Sequence, residues 1–540
     1  MKKIIYILLL LPIILFTSCV LPTTYQYTIT YYLYGNKIIL SPSGYNYGDN
    51  FILPTPIMEE DTSFIGWYED PEYKTEKITS ITPLDSGNKI FYGKTEELYQ
   101  VSKYEINDSL LKDVINNMGY DPETKETYGI TLGLPSIGNP KVLVIPIEFT
   151  DYEAPKDIVS NLEIAFFGKS EETGWESLSS YYYKSSYGKL NIQGTVLEPF
   201  NTGHTIEYYN KLQKQYIKDL EAYYNYETDI YPDNVEYNII KEALTFYDHQ
   251  INYDDYDYNK DGYIDSIYLV YVNDYNMDEE SLWWAHTNEY FTEDIELYDN
   301  VEADFYMFCS YQFLFDELHG KKVKYNLETI IHETGHLLGL DDYYDYDDTI
   351  GPNGGIGGGD MMDYNVGDHN AYSKLILGWI SPYIIYKETT TIDLTPFQEN
   401  GDVVIIFKEW NNTFFDEYLI IDFYTPDKLN SVAAGENGLF SSSGIRIYHV
   451  NAKLNNPEDC FSIFELTLYN NSYTSKRLIT LIEADGKDDI SKNGFSENSD
   501  LFVTNDQYAP RFWLDYSSCG FIIKINSITS TNANITIEYK

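Results

Sequence analysis

Cysteine is scarce, with four residues among 540. Four thiols cannot form a disulfide scaffold, so the chain must hold together by burying apolar cores, as its length allows. Basic residues are scarce as well: 36 Lys and Arg stand against 85 Asp and Glu, a formal charge of −49. Such a surface repels phosphate backbones and excludes nucleic acid as a partner. Apolar runs are short. The run from Ile4 to Phe16 falls below the roughly 20 residues of a membrane-spanning helix. Tyrosine is abundant, at 56 residues, and Asp-rich loop sequence is spread along the chain; both suit a solvated extracellular surface. The charge attracts calcium and disfavours anionic partners without naming a substrate.

The short apolar run follows Lys2 and Lys3 and ends in Thr17-Ser18-Cys19. A basic start, an apolar centre and small residues before a cysteine read as a lipoprotein-type signal peptide over residues 1–18, with Phe16 where leucine is commoner. Cys19 is then the lipidation site, and residues 19–26 tether the protein to the extracellular face of a bacterial cell membrane; the other reading is a secreted protein. Of Cys309, Cys460 and Cys519, the last two could pair, and nothing in the sequence decides it.

The chemistry gathers in His332-Glu333-Thr334-Gly335-His336-Leu337-Leu338-Gly339-Leu340-Asp341-Asp342. On a helix, His332 and His336 lie one turn apart on one face, so both can reach a single Zn2+. Glu333 stands beside the first ligand, where it can deprotonate a water rather than ligate. Gly339 lets the chain leave the helix in a conformation a side chain resists. That turn brings Asp342 back as third ligand and leaves the fourth position for water and substrate. His-Glu-x-x-His alone recurs by chance, but each further fixed residue cuts the random rate roughly twenty-fold. Upstream, Asn326 as cap and Glu328 in the first turn fit a helix start.

A glycine-rich loop, Gly351 to Gly359, then delivers Asp360-Met361-Met362-Asp363-Tyr364. Metzincin proteases set a methionine in a tight turn beneath the zinc ligands, and Met362-Asp363-Tyr364 resembles that turn. The resemblance implies Met362 as the turn residue and Tyr364 as a catalytic group that hydrogen-bonds the tetrahedral intermediate; the alternative is that these methionines merely fill a core.

Other segments resemble the immune inhibitor A family of secreted bacterial metallopeptidases. They are Lys141-Val142-Leu143-Val144-Ile145-Pro146-Ile147-Glu148-Phe149-Thr150-Asp151, Ser180-Tyr181-Tyr182-Tyr183-Lys184-Ser185-Ser186-Tyr187-Gly188-Lys189-Leu190, Asp342-Tyr343-Tyr344-Asp345 and Tyr372-Ser373-Lys374-Leu375-Ile376-Leu377-Gly378-Trp379. The likeness spans residues 138–385 and implies a zinc-dependent endopeptidase. One position departs from it: Asp341 stands where the family has proline before the Asp ligand. The third ligand is therefore open among Asp341, Asp342, Asp345 and His369, with Asp342 preferred for its offset. His369 follows the methionine turn and could buttress it by hydrogen bonding; His286, after Trp283 and Trp284, resembles a family position near the active-site cleft, with a structural role as the preferred reading.

Asp257, Asn259, Asp261, Tyr263 and Asp265 alternate around Gly262 like the front of a Ca2+ loop. Position twelve is Tyr268, which brings no carboxylate, and residues 266–272 read as a buried strand, so the expected role is structural. The bland reading is a solvated acidic turn.

Residues 27–97 resemble an internalin-type B-repeat, a small β-rich module, through Gly48-Asp49-Asn50-Phe51-Ile52-Leu53-Pro54-Thr55-Pro56 and Phe64-Ile65-Gly66-Trp67-Tyr68-Glu69-Asp70-Pro71. Phe64 and Trp67 are read as core. Residues 98–137 form a linker or pro-segment with one amphipathic helix, and residues 386–540 alternate like a C-terminal β-sandwich domain. The fold class is α+β: a metzincin-like zinc peptidase domain between a β-rich module and a β-sandwich. The expected function is a cell-surface or secreted zinc endopeptidase, a monomer acting on protein or peptide substrates. The rivals are a surface adhesin on a latent peptidase scaffold and a zinc hydrolase of a non-peptide substrate; the intact Glu333 disfavours the first, the family likeness the second.

Overall fold

The computed structural model describes residues 25–540 apart from 59–61, 98–101, 119–132, 227, 229–230, 233, 279–280, 291–296, 348, 351–354, 457–459 and 461. The leader, Cys19, most of the tether, part of the connector and the start of the glycine loop lie outside these residues. The chain divides into two compact units, Met1–Gln100 and Val101–Lys540.

In the first unit, Tyr27–Leu33 pairs antiparallel with Asn36–Ile38 and parallel with Lys89–Glu97, which pairs antiparallel with Thr62–Tyr68. The strand alternates, burying Ile29, Tyr31 and Leu33 on one face, as a sheet with one solvated side requires. Trp67 anchors the core. Its Nε1–H donates to the Pro54 carbonyl at 2.8 Å, and its ring centre lies 4.9 Å from those of Tyr31 and Phe64.

The second unit begins with a sheet whose strands Lys141–Glu148, Ile267–Tyr271 and Phe305–Ser310 run parallel. These strands are buried on both faces, which explains their continuous β-branched and aromatic sequence. Pro146 sits mid-strand without cost to the ladder. The neighbouring edge is shared by two short strands, Gln193–Val196 beside residues 141–144 and Phe200–Asn201 beside residues 147–148. On that side Val144 and Glu148 accept from Leu197 and Thr202, so the missing N–H of Pro146 falls in the gap between them. The opposite edge is the antiparallel strand His286–Glu289. The helix Glu328–Leu337 lies against this strand and Phe305–Ser310.

After residue 382 two sheets face each other. One carries Tyr383–Ile385, Val403–Phe407, Glu417–Tyr424, Gly444–Asn451 and Ile479–Leu481; the other carries Thr390–Leu394, Ala533–Tyr539, Phe521–Ile528 and Gln507–Tyr508. Strand periodicity sorts the side chains. Val404 and Ile406 fill the space between the sheets, while Val403, Ile405 and Phe407 join the larger core that runs from Ile106 to Leu501. The border expected near residue 385 is thus a change of architecture within one continuous core. With 11 helices among the described residues and several sheets, the class is α+β. Cys309 and Cys519 are free thiols, so Cys460 and Cys519 do not pair.

Asp422, fully buried, meets Arg446 Nε at 2.9 Å across neighbouring strands. The Arg446 guanidinium lies 4.8 Å from the centre of the Tyr424 ring. Removing one partner leaves a buried charge unanswered. Asp422→Ala is expected to lose about 3–5 kcal/mol of stability, read as a lower urea midpoint.

Candidate metal centre

The helix Glu328–Leu337 starts without a side-chain bond from its cap residue Leu327; instead Asn326 Oδ1 accepts from the Glu328 N–H at 3.0 Å, one residue earlier than a regular cap. It ends in a Schellman turn: Gly339 N–H donates to the His336 carbonyl and Leu340 N–H to the Gly335 carbonyl. Gly339 has φ +91, and a Cβ there would stand 2.5 Å from Ile463 Cδ1. Both backbone conformation and space demand glycine. The turn sends the chain back along the helix and places Asp342 under the two histidines.

His332 and His336 are oriented by the backbone. His332 Nδ1 donates to the Met361 carbonyl at 2.8 Å, and His336 Nδ1 to the Leu340 carbonyl at 2.7 Å. A carbonyl only accepts, so the Nδ1 proton is fixed and Nε2 faces inward. Asp342 Oδ1 lies 3.1 Å from His332 Nε2 and 3.4 Å from His336 Nε2. It is buried and takes no well-aligned hydrogen bond from any described residue. Without a cation, only protons on the imidazoles can reconcile these atoms. Burial opposes charge on His336, yet the Asp342 carboxylate holds its pKa up at about 10. Burial would also raise Asp342, but the two imidazoles hold it far below the usual carboxylate range. A divalent cation in place of those protons would satisfy all three donors at once. Two imidazoles and one carboxylate are a donor set suited to zinc.

Of the four candidates for the third ligand, only Asp342 meets both imidazoles. Asp341 borders the cleft, and burial lifts its carboxyl to about 7. Asp345 is engaged by Arg477 at 2.5 Å. His369 is buried among the rings of Tyr181, Tyr182 and Trp379, and neither ring nitrogen has a hydrogen-bond partner. Its expected buttressing bond is replaced by ring packing.

Beneath the helix lies the short helical turn Met361–Tyr364. Asp360 caps it, accepting from Met362 N–H at 2.8 Å, and its other oxygen accepts from Asn370 N–H at 2.7 Å. Met362 packs so closely under the helix that a Cβ on Gly335 would lie 2.2 Å from its sulfur. Tyr364 corrects the sequence reading. It is 53% exposed, its ring lies 5.0 Å from Phe495, and it does not line the cleft. Two residues on a helical turn point about 200° apart, so Met362 below the centre turns Tyr364 away from it.

Above the centre opens a cleft of about 680 Å³. Its walls are the edge strand with His286 and Thr287, the helix with Glu333, and the segment from Phe464 to Tyr473. Glu333 is held by Thr287, whose hydroxyl donates to the Glu333 carbonyl at 2.9 Å and approaches Oε2 at 3.3 Å. His286, read as structural, lines the cleft with Nε2 3.7 Å from buried Glu236. Tyr344 and Tyr346 also line it. Their hydroxyls lie 3.1 Å apart, and Tyr346 donates to Asp342 Oδ2.

The Asp257–Asp265 loop has its expected bend, with Gly262 at φ +97. Its carboxylates are turned onto its own backbone: Asp257 accepts from Asp261 and Gly262, Asp261 from Tyr263, and Asp265 from Tyr258. Burial lifts Asp265 to about 8. Among the described residues, the groups of three or more His, Cys, Asp or Glu whose ligand atoms lie within 4.8 Å of one another are His332-His336-Asp342 and Glu483-Asp489-Asp500, and this loop is not among them.

The chain matches no model of a known protein family and none of the curated proteins compared with it.

Two outcomes are expected. Asp342→Ala should bring zinc content from one equivalent to near none by elemental analysis, with Asp341→Ala unchanged. Tyr346→Phe should weaken zinc binding about 10–100-fold, as loss of a bond to a ligand does, measured by competition with a chromophoric chelator.

Proposed function

We propose that this chain is a metzincin-like zinc-dependent endopeptidase, similar in design to the immune inhibitor A family and acting outside the cell. One observation carries the reading: the inward lone pairs of His332, His336 and Asp342 meet at the floor of a cleft that Glu333 also lines. Bound zinc supplies Lewis acidity, which makes water nucleophilic near neutral pH and polarises a peptide carbonyl. Glu333, steadied by Thr287, takes the proton of the attacking water and returns it to the leaving amine. Tyr344 and Tyr346 supply hydroxyls near the developing oxyanion, the role expected of Tyr364. Tyr346 also orients Asp342 through its hydrogen bond to Oδ2.

The cleft favours an extended peptide. The strand His286–Glu289 pairs on one side only among the described residues, so its free edge can take a substrate backbone in strand fashion. The lipid at Cys19 would hold the enzyme on the membrane, and the 27–97 module would serve as spacer. The same proposal gives the Asp257–Asp265 loop a structural calcium ion, with carboxylates that rotate outward from the backbone when it binds.

Casein hydrolysis by the full chain and by Glu333→Ala, with zinc content measured on both, tests the reading. One zinc in each and a fall in turnover of about 10²–10⁴-fold in the variant are expected, the range for losing a general base. Equal turnover would refute Glu333 as base. Zinc in both with no cleavage of any peptide library would favour the binding-protein reading.

A further inference from the structure

A second set of convergent carboxylates lies away from the cleft. Glu483, Asp489 and Asp500 each bring one oxygen within 4.8 Å of the others. Asp500 is 1% exposed, and its Oδ1 and the Oδ1 of Asp489 are buried atoms without a hydrogen-bond partner. No Lys, Arg or His among the described residues pairs with any of the three. Three of the other four oxygens are committed to the backbone: Glu483 accepts from Asp489 N–H at 2.8 Å and Ile490 N–H at 3.2 Å, and Asp500 Oδ2 accepts from Glu497 N–H at 2.7 Å. Burial first, and then neighbouring carboxylates, hold Asp500 above the usual carboxylate range.

Buried, unanswered carboxylate oxygens at this spacing are costly unless a cation lies between them. From this geometry we infer that Glu483, Asp489 and Asp500 bind a calcium ion. Oxygen-only donors select a hard cation over zinc, and oxygens spaced within 4.8 Å fit around one ion at about 2.3–2.6 Å. Glu483 also borders a cavity of about 260 Å³, which gives the ion an entry path.

The position gives the ion a task. The turn Ile490–Asn493 and Ser496 form the bed of the glycine loop that leads to the methionine turn. Ser496 N–H donates to the Gly357 carbonyl at 2.8 Å, and a Cβ on Gly357 would lie 2.7 Å from Ser496 Cβ and 3.1 Å from Ile490 Cδ1. A clamp across residues 483–500 therefore steadies the loop beneath the His332–His336 helix. The inference stands independently of the peptidase reading.

The test uses the full chain, stripped with chelator, reloaded with zinc and titrated with calcium chloride. The wild type is expected to bind one calcium more than Asp500→Asn and to melt about 2–5 °C higher at saturating calcium. Glu483→Gln and Asp489→Asn, which keep shape and lose charge, should lose that calcium response while melting above the wild type in calcium-free buffer. Asp257→Asn, at the other loop, should retain the ion. A wild type whose calcium count and melting are matched by all three variants would overturn the assignment. So would calcium-independent melting of the wild type, the behaviour of a proton shared between Glu483 and Asp489.

Discussion

The carbonyls of Met361 and Leu340 hold the Nδ1–H groups of His332 and His336, 2.8 and 2.7 Å away. Because these acceptors cannot donate, both imidazoles present Nε2 to the same point, where Asp342 Oδ1 already stands. Three electron-pair donors facing one another in a buried place repel unless protons or a cation stand between them. Much of the surrounding structure holds these groups in position. The Schellman turn at Gly339 supplies one carbonyl and returns Asp342; the Asp360-capped turn supplies the other and sets Met362 under the helix.

The C-terminal sheets belong to this arrangement. One face of the five-stranded sheet completes the core under the helices, and the segment from Phe464 to Tyr473 walls the cleft. Ser472 Oγ donates to the Tyr344 carbonyl at 3.1 Å, and Asn471 Nδ2 to the Tyr343 carbonyl at 3.2 Å, so the run that follows Asp342 is held from the C-terminal side. Ser496 N–H, which donates to the Gly357 carbonyl at 2.8 Å, extends that support to the glycine loop. The cleft, the geometry of His332, His336 and Asp342 and the stability of the sandwich are thereby linked through shared packing.

Much of the centre was legible because it is local. A helical period sets His332 and His336 on one face, and one glycine fixes the return of Asp342. The α+β class was legible from buried strands around helical motifs. The cleft was not, because its walls come from strands and loops far apart in the chain. Tyr346 carried no signal among 56 tyrosines, and Tyr344 stood in a family-like segment that gave it no role. Tyr364 was misplaced because an offset in sequence does not say which side of a helical turn a residue takes. His369, adjacent to a motif, is enclosed by aromatic rings that sequence alone cannot bring together. Glu483, Asp489 and Asp500 follow no motif spacing, and only folding brings them together.

X-ray absorption at the zinc edge on the full chain tests the central claim most directly. A first shell of two imidazole nitrogens at about 2.0–2.1 Å with further oxygen at about 2.0–2.2 Å is predicted, altered in His336→Ala. A shell containing sulfur, or one unchanged by that substitution, would place the metal elsewhere and contradict the proposed zinc centre.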